Sequence, residues 1–118
     1  MGNQDGIPAA IHAATNKALI LSILDKRVES YGYEIIQTVG QLSRGVFQWK
    51  DGMLYPVLHR MEKEGLVTTR WDVAPNGRKR KYYRITAEGR KALAALRRHW
   101  EQANKTMNRA WNLDPILT

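Results

Sequence analysis

The stretch from Leu66 to Ile85 constrains the fold more than any other. Its first part alternates, with Val67, Thr69, Trp71 and Val73 on one face, and reads as a strand. On that reading Trp71 belongs to the core. Ala74-Pro75-Asn76-Gly77 follows as a turn, and Asn-Gly is the strongest short-range hairpin signal. Arg80 to Ile85 returns as the second strand with Tyr83 and Ile85 inward, and Tyr82 and Tyr83 serve strand packing. Every other patterned segment is helical, so the expected class is mainly α with a two-stranded hairpin.

The helices are read from apolar spacing. Pro8 suits a first turn, and the segment to about Lys26 is helical. Its second half, Ala18 to Leu24, is apolar almost all round and needs cover on more than one side. Tyr31 to Leu42 is a shorter helix with Tyr31, Ile35, Val39 and Leu42 on its apolar face, ended by Ser43-Arg44-Gly45. A third runs from about Asp51, read as its N-cap, to Glu64, with Gly65 as the stop. Leu54, Val57, Leu58 and Met61 form its stripe. Pro56 conflicts with that helix, because it removes a hydrogen bond and crowds the preceding turn. Either the helix begins after Asp51 or its first turn is irregular. Thr86 caps the last helix, along which Leu93, Leu96, Trp100, Ala103, Met107 and Ala110 recur at a coiled-coil spacing. The expected organisation is a loose segment 1–7, a domain 8–86, a C-terminal helix 87–113 and a tail 114–118.

Charge narrows the partners. Nineteen Lys and Arg stand against eleven Asp and Glu, a net charge of +8. Between Arg78 and Arg98 nine basic side chains face one acid, Glu88, so the whole excess sits in that stretch. A solvated face is the bland explanation. Charge this localised favours a polyanion, nucleic acid first and an anionic membrane surface second.

Other classes fall away. There is no cysteine, which removes disulfides, thiolate metal sites and a cysteine nucleophile. The longest apolar run, Ala92 to Leu96, is too short to span a membrane, and no leader pattern opens the chain. The cytoplasm is the expected compartment. His12, His59 and His99 are scattered, and His59 with Glu62 is one helical pair without further ligands. No Ser-His-acid motif or Gly-rich phosphate loop is present, so no enzyme, metal or cofactor is expected.

Helix, helix, helix, basic hairpin, helix is the order of a winged helix-turn-helix. The turn from Ser43 to Lys50 would set the third helix in a major groove of double-stranded DNA. Its polar side offers Tyr55, His59 and Arg60, with Lys63 further along and Lys50 just before it. The hairpin offers Arg78, Lys79, Arg80 and Lys81 to the backbone. The bland alternatives are that Tyr55 packs against the hairpin and that His59 and Arg60 are solvated surface.

Four segments in register carry a family resemblance: Tyr31-Gly32-Tyr33-Glu34-Ile35, Gly52 to Glu62, Glu64-Gly65-Leu66-Val67, and Arg80 to Thr86. The chain from about Lys17 to Leu96 resembles the PadR-like transcriptional regulators. The resemblance implies a homodimeric bacterial repressor of the smaller size class, with the C-terminal helix making much of the dimer. Met53 stands where many members carry a threonine whose hydroxyl would bind phosphate; Tyr55 keeps its place. Leu21, Leu93, Leu96, Trp100, Ala103 and Met107 are the expected dimer contacts. Some members take flat aromatic compounds at the interface, which makes Trp100 the candidate to stack on a planar aromatic effector; a plain interface anchor is the alternative. Two functions remain open: a sequence-specific repressor released by a small molecule at an inverted-repeat operator, or a low-specificity architectural DNA-binding protein without an effector.

Overall fold

The computed structural model describes residues 6–114. Most of the segment 1–7 and of the tail 114–118 therefore lies outside the described residues. The elements are α1 (Ala9–Asp25), β1 (Ser30–Tyr31), α2 (Gly32–Leu42), α3 (Asp51–Lys63), β2 (Val67–Val73), β3 (Lys79–Ile85) and α4 (Ala87–Trp111). Three helices pack around one core, a small antiparallel sheet closes one side of it, and α4 crosses α1 before running outward.

The sheet has a strand that periodicity could not reveal. Ser30 and Tyr31 pair with Tyr83 and Tyr82, so the order is β1-β3-β2 with β3 central. Two residues are too few to show an alternation. What recruits them is the free edge of β3, whose backbone groups need partners. In the hairpin, Val67 lies opposite Ile85 and Val73 opposite Lys79.

The core is built from Ile20, Leu21 and Leu24 of α1, Ile35 and Val39 of α2, and Leu54, Leu58 and Met61 of α3, with Tyr83, Ile85 and Leu93. The all-round apolar half of α1 is explained here. It is covered on separate sides by α2, α3, β3 and α4 of the same chain. Leu21, expected at a dimer contact, is 0% exposed and sits in the centre of this core. Leu93 is also buried within the chain, against the same cluster.

One local expectation is corrected, and one of two open alternatives is excluded. The N-cap of α3 is Lys50, extended at φ −126°, and Asp51 is its first helical residue. Pro56 lies inside that helix, which starts at Asp51 all the same. The carbonyl deprived of its donor belongs to Gly52, which is exposed and open to water. The cap of α4 is as expected: Thr86 Oγ1 accepts from the Gly89 N–H at 3.0 Å. A Cβ at Gly89 would lie 2.2 Å from the Leu66 carbonyl oxygen, so the junction of α4 with the sheet admits only glycine without rearrangement. Three helices, a hairpin and an appended helix make a winged helix-turn-helix fold.

Candidate nucleic-acid interface

The site begins with how α3 is held. Its buried face, Leu54, Val57, Leu58 and Met61, turns Tyr55, Pro56 and His59 outward. The loop leading to it bends at Arg44 (φ 53°) and Gly45 (φ 85°), where the Gly45 N–H donates to the Gly40 carbonyl at 2.8 Å. Phe47 N–H donates to Ser43 Oγ at 2.8 Å. Trp49, 4% exposed, then drives the end of the loop into the core, and its indole N–H donates to Nδ1 of His12 at 3.2 Å. The loop is thus tied to α1 immediately before α3 starts.

Between α3 and the hairpin lies a cleft of about 840 Å³. Tyr55, Pro56 and His59 form one wall with the start of α2, and Arg78, Lys79, Arg80 and Lys81 line the other. Tyr55 is 43% exposed. Burial, with the nearby Asp51 charge, raises its phenol pKa, so it is a hydroxyl donor at neutral pH. Its ring packs on the backbone of Gly32, where a Cβ would sit 2.2 Å from the hydroxyl oxygen. Behind it, burial pushes the Tyr83 phenol up to about 12.

The basic residues of the hairpin are not equivalent. Arg78 and Lys79 are exposed and make no ion pair among the described residues. Arg80 lies over the Tyr31 ring, 3.9 Å from its centroid. Lys81 Nζ is 3.3 Å from Glu62 Oε1, which draws it back toward α3. Glu62 also accepts from Thr69 Oγ1 at 2.9 Å, and that bond, more than the lysine, holds its carboxyl below the ordinary value. Hence Glu62 clamps the hairpin to α3.

Three residues expected at DNA do not line this cleft. Arg60 lines a separate hollow with Asn16 and Lys17 of α1, Glu64 and Leu96. The helical twist explains this: Arg60 is one residue past His59 and is carried toward α1. Lys63 is exposed one turn beyond His59 and does not line the cleft, and exposed Lys50 precedes α3 outside it. The local excess of positive charge also divides. Arg84 pairs with Glu29 at 3.5 Å, Arg90 with Asp25 at 3.4 Å and Lys91 with Glu88 at 3.6 Å. On the outer face of the hairpin, Glu29 accepts from Nε and Nη2 of Arg70, whose Nη1 meets Asp72 at 2.8 Å. These bonds depress the pKa of both acids.

The cleft includes one residue expected in the core. Trp71 is on the same sheet face as Val67 and Thr69, as its alternation requires, but it is 64% exposed. The hairpin runs past the end of the helical core, so the face continues while the cover stops.

On α4 the expected seam divides in the same way. Leu93 is buried and Leu96 is half-buried against the chain's own core. Trp100 is half-buried and forms a wall of a cavity of about 270 Å³ with Phe47, Arg97 and residues of α1. Ala103, Met107 and Ala110 are exposed, as is Trp111 at 71%.

The family model for the transcriptional regulator PadR-like family matches residues 20–95, which take in the core helices, the hairpin and the start of α4. An uncharacterised protein of Lysinibacillus sphaericus is 33% identical over 98 residues, covering 83% of this chain and 88% of that protein. The transcriptional regulator Rv3488 of Mycobacterium tuberculosis is 44% identical over 62 residues, covering 52% and 57%. Among solved structures, a transcriptional regulator from Clostridium thermocellum superposes with a TM-score of 0.77 at 30% identity, covering 86% of this chain and 97% of that one. A PadR-like transcriptional regulator from Bacillus cereus does so at 0.77 and 28%, covering 90% and 100%. Three of these four are named as transcriptional regulators, and the family match runs through the cleft-forming elements in order. The chain belongs to the PadR-like family of transcriptional regulators.

Proposed function

We propose that the chain is a sequence-specific DNA-binding regulator, acting as a homodimeric repressor in the cytoplasm. The observation that carries this reading is the cleft, which sets a polar helix face (Tyr55, His59) opposite an unpaired basic strand end (Arg78, Lys79). The helix face lies in the major groove and reads base edges, and the hairpin grips the adjoining backbone. Arg60, Lys63 and Lys50 act at the margin of this surface. The exposed outer half of α4, with Met107 and Trp111, packs against its twofold mate, for which an isologous contact is the simplest closure. The cavity beside Trp100 takes a planar aromatic effector, with Arg97 at its edge. Occupying it moves Phe47, two residues from the Trp49 anchor of the reading helix, and so loosens the grip on DNA.

Selection of duplexes from a random-sequence pool tests the reading. The enriched sequence is an inverted repeat with half-sites about 10 bp apart, or a multiple of that. No enrichment over unrelated duplexes of equal length would favour the architectural alternative. Titrating planar aromatic compounds against the selected duplex should release the protein in parallel with quenching of Trp100 fluorescence.

A further inference from the structure

Trp71 is a large apolar side chain whose exposure the core does not explain. It is 64% exposed, Val73 two residues on is 62% exposed, and both are on the hairpin face that looks into the cleft. Lys81 and Lys79 stand opposite them in register. Trp71 and Val73, with Asp72 and Lys79, also line an open hollow of about 590 Å³. The Lys81 ammonium is 5.9 Å from the Trp71 ring centroid, and the indole N–H donates no hydrogen bond among the described residues. The acids at hand are already engaged: Glu62 by Thr69 and Lys81, Asp72 by Arg70. What remains is an apolar ledge with a free N–H donor, rimmed by the unpaired charge of Lys79 and by Lys81, which Glu62 partly neutralises.

The reading above puts α3 in a groove, and the inference rests on it. If α3 fills a major groove, the wall of that groove is one sugar–phosphate strand, and the cleft between α3 and the hairpin must receive it. Deoxyribose is the apolar part of that strand and phosphate the acceptor. We infer that Trp71, with Val73, is a DNA-backbone seat: the indole packs on deoxyribose and its N–H donates to a phosphate oxygen, while Arg78 and Lys79 neutralise flanking phosphates. This contact reads no sequence. It draws its free energy from buried apolar surface and releases no counterion, so it is insensitive to salt, unlike the lysines and arginines beside it.

The test is Trp71→Ala in the full chain, bound to a duplex selected by the parent protein and to an unrelated duplex of equal length, across a salt series. Trp71→Ala should weaken both by on the order of tenfold or more, with the slope of log affinity against log salt unchanged. Arg78→Ala on the same duplexes should flatten that slope by about 0.9. Because Trp71 is exposed, the thermal midpoint should not fall, and Trp71→Phe should recover part of the affinity. Parent-like affinity in Trp71→Ala overturns the inference, and so does a slope change of about one, which would mean that the indole acts by placing a lysine. Loss on the selected duplex alone would assign Trp71 to base reading and also overturn it. If the parent protein binds neither duplex, it is the DNA-binding reading that fails, a result distinguishable from all of these.

Discussion

Trp49 and His12 are 37 positions apart in sequence, and one hydrogen bond, from the indole N–H to Nδ1 at 3.2 Å, joins them. The bond fixes the histidine tautomer, because an indole N–H can only donate and Nδ1 must therefore be the unprotonated nitrogen. It joins α1 to the last turn of the loop that delivers α3. Phe47 meets the other side of the same imidazole edge-on, with centroids 5.3 Å apart. α3 is thus oriented by a histidine that itself lines neither the cleft nor the cavity beside Trp100.

Removing the acceptor while the donor stays buried should weaken the fold. His12→Ala strands a buried indole N–H and should destabilise the fold by about 1–3 kcal/mol. Trp49→His would confound packing with polarity, so the cleaner partner is a swap of His12 for Gln, which keeps an acceptor in reach. Urea unfolding should show His12→Gln closer to the parent than His12→Ala. Equal losses would mean that the bond contributes nothing and the ring alone matters.

Gly32 and Tyr55 make a second pair of this kind. A Cβ at position 32 would meet the end of a flexible, partly exposed phenol, so Gly32→Ala should still fold. It should do so by swinging Tyr55 out of the cleft wall and lowering DNA affinity. In a Tyr55→Ala background the same change should have no further effect, since the two residues act as one unit. Additive losses in the double-mutant cycle would contradict the contact.

How much of this was legible beforehand differs by element. The helices and the hairpin turn announced themselves, because their apolar spacing and the Asn-Gly step are local signals. β1 is set by the edge of a strand far along the chain, where Ser30 meets Tyr83 and Tyr31 meets Tyr82, which no local pattern encodes. For Trp71 the alternation gave the right face of β2 but not where the core ends, since that depends on the length of the helices beneath. For Leu21 the apolar girth of α1 was evident; which chain covers it was not. Arg60 shows the resolution limit on a helix, where one residue past His59 turns a side chain from the cleft toward α1. Glu62 looked like half of a weak metal pair, and its true partners, Thr69 and Lys81, lie on the two strands of the hairpin.

Acid should loosen the clamp that Glu62 provides. Its carboxyl titrates below the ordinary value in the folded chain, chiefly through the Thr69 hydrogen bond. A carboxyl of that kind stabilises the fold above its unfolded pKa, and the contribution is lost as pH falls through the folded value. Thermal midpoints from about pH 6 down to about pH 3 should therefore decline less steeply in Glu62→Gln than in the parent, from a lower start at neutral pH. Parallel curves would show that Glu62 contributes no such linkage.

For self-association the outer half of α4 is the part to disturb. Leu96 is packed on the chain's own core, so charging it would damage the fold as well as any interface. Met107→Asp with Trp111→Asp alters only exposed positions. Light scattering should report a dimer for the parent and a monomer with an unchanged thermal unfolding onset at low concentration for the variant. A dimeric double variant would exclude this half of the helix as the seam.

The central claim is that the cleft between α3 and the hairpin receives DNA. It is tested most directly by the salt dependence of Arg78→Ala with Lys79→Ala against the parent, on a duplex the parent has selected. Those two side chains are exposed and carry no internal ion pair among the described residues, so removing them leaves the fold alone. The doubly substituted protein should bind more weakly, with a salt slope flatter by about 1.8, twice the value for one phosphate contact. A parent-like slope and affinity would contradict it, and would move the DNA off this cleft.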